Sequence, residues 1–296
     1  MAYINSNDLP DIQQSEPKIK MPIMEVGVEN VEVPFILESK YGGFHHMVAN
    51  VSMRTSLDSS IRGISMSRLL LTLKPYLDLP LKSKLIREIL SKLLESIDTS
   101  TAFMKFEFRL PIVRKSILSQ NEFPIYYKCR FEGRAYKVRV IGLDHKEHIE
   151  TYYRFFEGVT VQYASYCPCS AELSCSGSEG YPHNQRSFAN VLVEVDSDTK
   201  YYLWLEDLIE LVESRIKTLP YPVIKRIDEK EIGKIAKENP LFVEDAIREI
   251  SEGLETLPGI SDWIVKCVHE ESIHTSEAIA INYKGNHGGF DGRWFI

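Results

Sequence analysis

The sequence predicts an α+β protein in which two ββααββ modules follow each other, each an antiparallel sheet with its helices on one face. Two observations favour this fold class. Apolar residues alternate with polar ones over short segments, as in half-buried strands, and recur three and four residues apart in longer segments, as in helices. The two patterns follow the same order in both halves of the chain, which indicates antiparallel strand pairs that each carry helices.

The first half contains one such module with an added hairpin strand. Residues 1–30 are polar and punctuated by proline, so we expect an N-terminal arm before a module at 31–145. Strands are predicted at 31–37, 44–53, 102–111, 123–131 and 136–143, and helices at 65–77 and 81–97. The second helix has a wide apolar stripe, formed by Leu85, Ile86, Ile89, Leu90, Leu93 and Leu94.

The second half, 146–296, repeats the order and contains a segment rich in cysteine and histidine. Strands are predicted at 158–166, 188–195, 262–271 and 276–284, and helices at 202–219 and 240–257. Two prolines close the first of these helices. The segment that follows them, VIKRIDEKE at 223–231, is dense in charge and is predicted to form a turn rather than a long helix.

Composition excludes several classes of protein. The formal net charge of −7 argues against a nucleic-acid partner, because binding to a phosphate backbone requires a basic surface. No segment approaches 18 apolar residues and the N-terminal segment does not resemble a signal peptide, so no membrane partner is expected. Five cysteines are an odd and low number for a secreted scaffold, which favours a reducing, cytoplasmic location.

Three candidate ligands cluster in YCPCSAELSCSGSEGYPHNQR at 166–186. Cys167 and Cys169 are too close in sequence for an unstrained disulfide. With His183, they form a set of thiols and imidazole that suits zinc or iron, whereas manganese favours added carboxylate. A structural zinc module would need a second ligand pair, which the chain lacks. The alternative is that these are loop residues that hold no ligand.

Other charged residues are candidates with an ordinary alternative. Glu213 lies at the edge of a predicted apolar helix stripe, either near a site or on a solvated acidic face. In the segment 223–231, the cations Lys225 and Arg226 are suited to phosphates. Asp228 and Glu229 are suited to the N–H groups of a base; the alternative is a plain charged connector. Glu271 and His274 follow a predicted strand, and residues three apart on a strand face opposite sides, so they cooperate only if the chain turns there.

Two motifs carry a resemblance to a known family. CPCS at 167–170 followed by HNQR at 183–186 resembles the type IB GTP cyclohydrolase I family. Further segments similar to that family run in the same order: LPDIQ (9–13), RGISMSR (62–68), KRIDE (225–229), NPLFVEDAIR (239–248) and ESIH (271–274). The resemblance implies two tandem tunnelling-fold modules and a homotetramer with active sites at subunit interfaces.

The resemblance also implies a reaction, in which GTP and water give 7,8-dihydroneopterin triphosphate and formate. It implies one divalent metal ion per site (Mn, Fe or Zn), held by Cys167 or Cys169 with His183 and Glu213. Cys169 would be a ligand or an acid–base group, and Glu271 and His274 would transfer protons. Glu229 would hold the guanine, and the triphosphate candidates are Arg186, Lys225 and Arg226.

The sequence differs from the family in two places. The loop at 170–182 is longer and has an extra thiol, Cys175, and a second histidine after His274 is missing. Two alternative functions stay open from the sequence. One is an archaeal-type cyclohydrolase that gives a cyclic phosphate product. The other is a non-catalytic module that binds a metal or a purine on the same fold.

Overall fold

The computed structural model describes residues 12–142, 145–175, 182–196, 200–286, 288–291 and 294. Its eight strands are β1 (Ile23–Glu38), β2 (Phe44–Leu57), β3 (Thr101–Lys115), β4 (Glu122–Ile141), β5 (Glu147–Tyr166), β6 (Asn184–Val195), β7 (Ile260–Glu270) and β8 (Ala278–Tyr283). The α-helices are α1 (Met66–Leu73), α2 (Ser83–Ser96), α3 (Pro168–Cys175), α4 (Leu205–Ile216), α5 (Arg226–Glu238) and α6 (Val243–Thr256). None of the helices in these ranges is both long and apolar enough to cross a membrane.

The order of elements confirms the predicted α+β class. Strands are hydrogen-bonded in sequence order from β1 to β8, and the pairs β1–β2, β2–β3, β5–β6, β6–β7 and β7–β8 are antiparallel. Helices α1 and α2 lie between the second and third strands, and α4 to α6 lie between the sixth and seventh. The ββααββ order therefore occurs twice, with α3 and α5 as additional helices in the second half.

The chain divides into two compact units, and each unit is formed by two separate segments of the sequence. One unit consists of the chain up to Glu107 together with Glu132–Phe155, and the other of Phe108–Phe131 together with the chain from Phe156 onward. Parts of β3, β4 and β5 therefore belong to each unit. β1 begins at Ile23, earlier than predicted, so the expected N-terminal arm is shorter. Residues 1–11 of that arm lie outside the described part.

In the first unit, α2 buries the stripe that its sequence predicts. All six residues named above for this stripe are buried. Removing each such side chain from water contributes about 2 kcal/mol, before the entropic cost of ordering it. The helix therefore covers its side of the sheet through these six positions.

The predicted hairpin at 123–143 is corrected to one continuous strand, β4. Two charged residues between the predicted strands form an ion pair within β4, since Arg134 Nε lies 2.8 Å from Oε1 of the buried Glu132. Gly133 between them lies against α2, because a Cβ atom there would be 2.4 Å from Cγ2 of Ile86. The glycine thus marks close packing of a strand on a helix.

In the second unit, α6 packs against α4 and against the strands β7 and β8. Helix α4 buries Leu205, Leu208, Ile209, Val212 and Ile216, as its spacing predicts. Glu206, on the same helix, is also buried. On the same side, the strand residues Val161, Tyr163 and Val265 are buried. This core positions the ends of β5, β6 and β7, where the candidate ligands lie.

Candidate active site

A cavity of about 370 Å³ in the second unit brings together candidate residues that are far apart in sequence. Its polar lining includes Cys167, His183, Gln185, Glu271 and His274. Its apolar wall comes from residues 241–243, at the start of α6, and from Ile273. A concave site with an apolar wall and a few converging polar groups is typical of a ligand-binding site.

The hairpin of β5 and β6 explains why Cys167 and His183 meet. Tyr166 pairs with Asn184 at the last register position of the two strands. One residue further, the backbone N–H of Cys167 donates to the carbonyl oxygen of His183 at 3.3 Å. The segment between them therefore leaves and returns at the same point, and its two ends line one cavity.

The two neighbouring thiols lie in different environments. Cys167 is half-buried and lines the cavity, whereas Cys169 is exposed on α3, and both are free thiols. Helix α3 starts at Pro168, and the N–H of Ala171 donates to the carbonyl of Cys167 at 3.0 Å. The structure therefore replaces the first part of the predicted loop with a helix. The Cys175 side chain and residues 176–181, the rest of that loop, lie outside the described part.

Gln185 connects two of the candidates. Its amide nitrogen donates to Oε1 of Glu271 at 3.2 Å, and its Oε1 lies 3.1 Å from Nδ1 of His183. Oε2 of Glu271 lies 4.0 Å from the same Nδ1. The imidazole and the carboxylate are thus held in one network at the cavity wall.

The chain turns after β7, as cooperation between Glu271 and His274 requires. β7 ends at Glu270, and residues 272–273 form a turn before β8. Both Glu271 and His274 then line the same cavity, with His274 exposed at its rim. The turn thus removes the objection that residues three apart on a strand face opposite sides.

A buried network forms part of the wall of this cavity, around His269, a histidine that the sequence did not single out as a site residue. Nε2 of His269 lies 2.9 Å from the hydroxyl of Tyr163, and Nδ1 lies 3.1 Å from Oγ of Ser165. Ser165 in turn bonds Ser187 at 2.8 Å. Burial lowers the pKa of His269 to about 4, so the ring is neutral at pH 7. The available signal was its spacing, two residues before Glu271 and on the same strand face.

Glu213 lies in a different cavity, of about 250 Å³. Its Oε2 lies 2.8 Å from Nη2 of Arg114 on β3, and its Oε1 accepts from the hydroxyl of Tyr127 on β4. Burial, and then the Glu213 carboxylate, raise the pKa of Tyr127, so that the hydroxyl remains a donor. The structure therefore places Glu213 at the edge of the core, as predicted, but not with Cys167 and His183.

The segment predicted as a turn begins α5, and this prediction is corrected. Asp228 explains the difference, because it is fully buried and accepts from the backbone N–H of Lys225 at 2.8 Å, which caps the helix. It also accepts from the N–H groups of Leu118 and Ser119 at 2.8 and 2.9 Å. Burial alone would raise the pKa of Asp228, but hydrogen bonds from Ser119, Lys225 and Leu118 hold it below its usual value.

The remaining candidates lie outside the cavity of Cys167 and His183. Glu229, Lys225 and Arg226 are exposed around the first turn of α5. Arg186 is exposed on β6, between the buried Gln185 and Ser187, and so faces the opposite side of the sheet. Within the described ranges, no group of three or more His, Cys, Asp or Glu side chains is arranged to hold a metal ion.

Comparison with known proteins identifies the family. The family model described as GCHY-1, type I GTP cyclohydrolase folE2, matches residues 9–280. The GTP cyclohydrolase FolE2 of Syntrophus aciditrophicus (strain SB) is 31% identical over 270 residues, which cover 91% of this chain and 97% of that protein. The FolE2 of Geobacter sulfurreducens is 33% identical over 272 residues, which cover 92% and 96% of the two chains.

Solved structures show the fold. Urate oxidase from Bacillus sp. TB-90 superposes with a TM-score of 0.53 at 10% identity, covering 88% of this chain and 99% of that chain. Uricase from Arthrobacter globiformis gives 0.52 at 7% identity, covering 90% and 95%. This likeness confirms the predicted tunnelling-type fold. It does not indicate which reaction the site catalyses. The resemblance found in the sequence is confirmed as far as a type I GTP cyclohydrolase: the chain belongs to the type I GTP cyclohydrolase FolE2 family.

Proposed function

We propose that this protein is a GTP cyclohydrolase I of type IB, which converts GTP and water to 7,8-dihydroneopterin triphosphate and formate at the start of tetrahydrofolate synthesis. The observation that supports this most is the convergence of Cys167, His183, Gln185, Glu271 and His274 on one cavity in a chain of the FolE2 family. The cavity offers a soft ligand, an imidazole and groups that exchange protons, which ring opening at a purine requires.

Two donors in this cavity, the thiol of Cys167 and the imidazole of His183, are of the type that a divalent metal ion takes, and a third ligand would have to be brought to them. A carboxylate accepts only, so Glu271 fixes the amide nitrogen of Gln185 toward itself and the amide oxygen toward His183. Nδ1 of His183 must then carry the proton, which leaves the Nε2 lone pair for a ligand, as is usual for histidines that bind metals. Cys167 adds a thiol in the same cavity. When bound, a divalent ion supplies Lewis acidity, which makes water acidic enough to lose a proton near neutral pH.

We assign Cys167 and His183 as metal ligands for Mn, Fe or Zn, with Cys169 as an acid–base group on the neighbouring helix α3. Cys169 is exposed and can exchange protons with substrate and solvent. Glu213 is the third candidate ligand, and it would have to exchange its contacts with Arg114 and Tyr127 for the metal. The identity of the metal depends on supply as much as on this ligand set.

Glu271 and His274 are assigned to proton transfer. The carboxylate of Glu271 accepts from Gln185 through Oε1, which leaves Oε2 to receive a proton. His274 lies at the rim, where its imidazole can deliver a proton to the leaving formate or take one from the ribose. An imidazole and a carboxylate are both side chains that enzymes use for general acid–base catalysis.

Glu229 is assigned to the guanine, because its neighbour Asp228 is already used as a helix cap. A carboxylate can accept two N–H groups from one edge of guanine. Arg186, Lys225 and Arg226 stay candidates for the triphosphate. Since α5 rises about 1.5 Å per residue, the helix extends about 14 Å from Glu229 to its end at Glu238, and the cavity-lining residues 241–243 follow that end.

This separation supports a site shared between copies. A purine ring is shorter than that distance, so a guanine held by Glu229 of one chain would meet Cys167 and His183 of another. We therefore propose a homo-oligomer, a homotetramer by family resemblance, with interfacial active sites. A cytoplasmic location stays a prediction from the cysteine content; Cys129, Cys167, Cys169 and Cys267 are free thiols.

Turnover tests the proposal directly. Purified protein is stripped with chelator, supplied with Mn(II), Fe(II) or Zn(II), and incubated with GTP. We expect formate and, after oxidation, a fluorescent pterin with at least one metal. Mass spectrometry of the product separates the triphosphate from the cyclic phosphate of the archaeal-type alternative. A protein that binds GTP or metal but forms no product with any of the three ions would be the non-catalytic module instead.

A further inference from the structure

Three neighbouring strands of the second unit end at the candidate active site. β5 ends one residue before Cys167, β6 begins one residue after His183, and β7 ends one residue before Glu271. Functional side chains have to be held within about 0.5 Å of their productive positions. The relative positions of these three strand ends therefore determine how the three side chains meet.

A row of three side chains crosses the strands close to these ends. Tyr163 of β5, Ser187 of β6 and His269 of β7 are partners in the register of the sheet, and all three are buried. Side chains at such directly opposite positions are close enough to interact. The row can therefore connect the three strands a short distance from the site.

His269 makes the contacts that connect this row. Its Nε2 lies 2.9 Å from the hydroxyl of Tyr163, and its Nδ1 lies 3.1 Å from Oγ of Ser165. Ser165 in turn lies 2.8 Å from Oγ of Ser187. One imidazole thus joins β7 to β5 by two hydrogen bonds and, through Ser165, to β6.

The same contacts leave His269 no direct chemical role. The ring lines the cavity wall, but both of its nitrogens already have protein partners. A neutral imidazole has one N–H group and one lone pair, so neither remains for a metal ion or for a substrate. The side chain can therefore affect the site only through its neighbours.

Two of these contacts lead directly to site residues. Ser165 lies two residues before Cys167, and His269 lies two residues before Glu271. Gln185, which donates to Glu271, is the register partner of Ser165 on β6. The next row of side chains along the three strands is therefore part of the site, and a shift of the contact between His269 and Ser165 would move it.

We infer that His269 is a positioning residue, which holds the ends of β5, β6 and β7 together and so fixes the distances between Cys167, His183 and Glu271. The connection between the strands follows from the buried contacts alone, whereas its consequence for a metal ion and for turnover rests on the proposed function. Without the imidazole, the strands keep their backbone hydrogen bonds but lose this side-chain connection. The expected result is a folded protein with a looser site.

Affinity for Zn(II), measured by competition with a chelator, tests the positioning without requiring turnover. His269→Leu removes both hydrogen bonds of the ring. Val265→Ala creates a cavity at a buried position on the same face of β7 and is the control for lost stability. We expect a lower urea midpoint in both variants, and Zn(II) binding about tenfold weaker in His269→Leu alone. An affinity that falls equally in both variants, or in neither, would overturn the inference.

A double-mutant cycle shows whether His269 acts through Ser165. Ser165→Ala removes one hydroxyl group and little volume, so it tests the connection even if His269→Leu does not fold. We expect Ser165→Ala to weaken Zn(II) binding about threefold, and the double variant to bind no more weakly than His269→Leu. Wild-type affinity in Ser165→Ala, or fold-changes that multiply in the double variant, would contradict the inference.

Turnover separates this inference from the proposed function. With GTP and a metal that supports activity, His269→Leu should lower kcat about tenfold with little change in KM, because misplaced groups act mainly on the transition state. A wild type that shows the expected pattern of Zn(II) binding but makes no pterin would contradict the proposed function alone. A wild type that makes pterin, with kcat and Zn(II) affinity unchanged in His269→Leu, would contradict the positioning role alone.

Discussion

Oε1 of Gln185 lies 3.1 Å from Nδ1 of His183, and this contact determines which ring nitrogen remains for a ligand. The orientation of the amide follows from its other end, where Glu271 can only accept. Gln185 is therefore a positioning residue for both a candidate ligand and a candidate proton carrier. In the HNQR motif, Gln185 follows His183 by two residues, so both side chains lie on the same strand face. The motif alone does not show that the two side chains are in contact.

Replacing Gln185 by leucine tests this role. The variant removes both hydrogen bonds while keeping a similar volume, so His183 loses the partner that fixes its tautomer. We expect affinity for Zn(II), measured by competition with a chelator, to fall about 10- to 100-fold, as is typical when the partner of a metal-binding histidine is lost. The Gln185→Glu variant retains an acceptor for Nδ1–H and should bind the ion more tightly than Gln185→Leu. Equal affinities in wild type and Gln185→Leu would contradict the role.

Substitutions of the adjacent acids Asp228 and Glu229 should have different effects, one on stability and the other on substrate binding. Asp228→Asn weakens a buried cap that three backbone N–H groups share, so it should lower the urea midpoint of unfolding. Glu229→Gln changes an exposed side chain, so it should leave that midpoint unchanged and raise KM for GTP about tenfold or more. The opposite pattern, with stability lost in Glu229→Gln and KM raised in a stable Asp228→Asn, would exchange the two assignments.

Glu157 should make stability depend on pH. Burial, and then the carboxylates of Asp207 and Glu206, raise the pKa of Glu157 from 4.5 to about 8. Between these values the folded protein holds a proton that the unfolded chain releases, so the free energy of unfolding falls as pH rises, by up to about 1.4 kcal/mol per pH unit. Glu157→Gln mimics the protonated acid and removes this contribution.

Urea unfolding of both proteins at several pH values between 5 and 8 measures the effect. The stability of Glu157→Gln relative to wild type should increase steadily across that range and level off above about pH 8. Comparison with wild type at each pH cancels the titration of other groups. A difference that is constant with pH would show that Glu157 titrates as an ordinary exposed carboxyl.

Mixed oligomers test the shared site. His183→Ala removes a candidate ligand and should be inactive alone. Glu229→Gln removes the candidate guanine anchor and should retain at most about a tenth of wild-type activity at GTP concentrations well below KM. If the two residues act from different copies, co-refolding equal amounts should restore roughly a quarter of wild-type activity, because one in four interfaces then combines two intact residues. A mixture as inactive as either variant would place both residues of each site in one chain.

The sequence predicts the fold well where the signal is local. Helix α2 shows its apolar stripe in its own residues, and the strands around it alternate clearly. Helix α5 was missed because its start depends on Asp228 reaching Leu118 and Ser119, more than 100 residues away in sequence. The continuity of β4 was missed because its charges form an internal pair, Glu132 with Arg134, which periodicity does not reveal.

The candidate site was likewise predictable from the sequence only in part. Cys167 and His183 meet because β5 and β6 form a hairpin, which the order of elements suggests. Glu213 was grouped with them by resemblance, yet in this chain it contacts Arg114 and Tyr127. Those partners come from β3 and β4, and no spacing pattern in the sequence links them to α4.

Absorption spectroscopy of the Co(II)-substituted protein tests whether Cys167 and His183 hold a divalent metal in the cavity, because a thiolate ligand to Co(II) gives a charge-transfer band. We predict this band in wild type and in Cys169→Ser, its loss in Cys167→Ser, and a change in the coordination spectrum of His183→Ala. A band that persists in Cys167→Ser and disappears in Cys169→Ser would show that Cys169, and not Cys167, is the thiolate ligand.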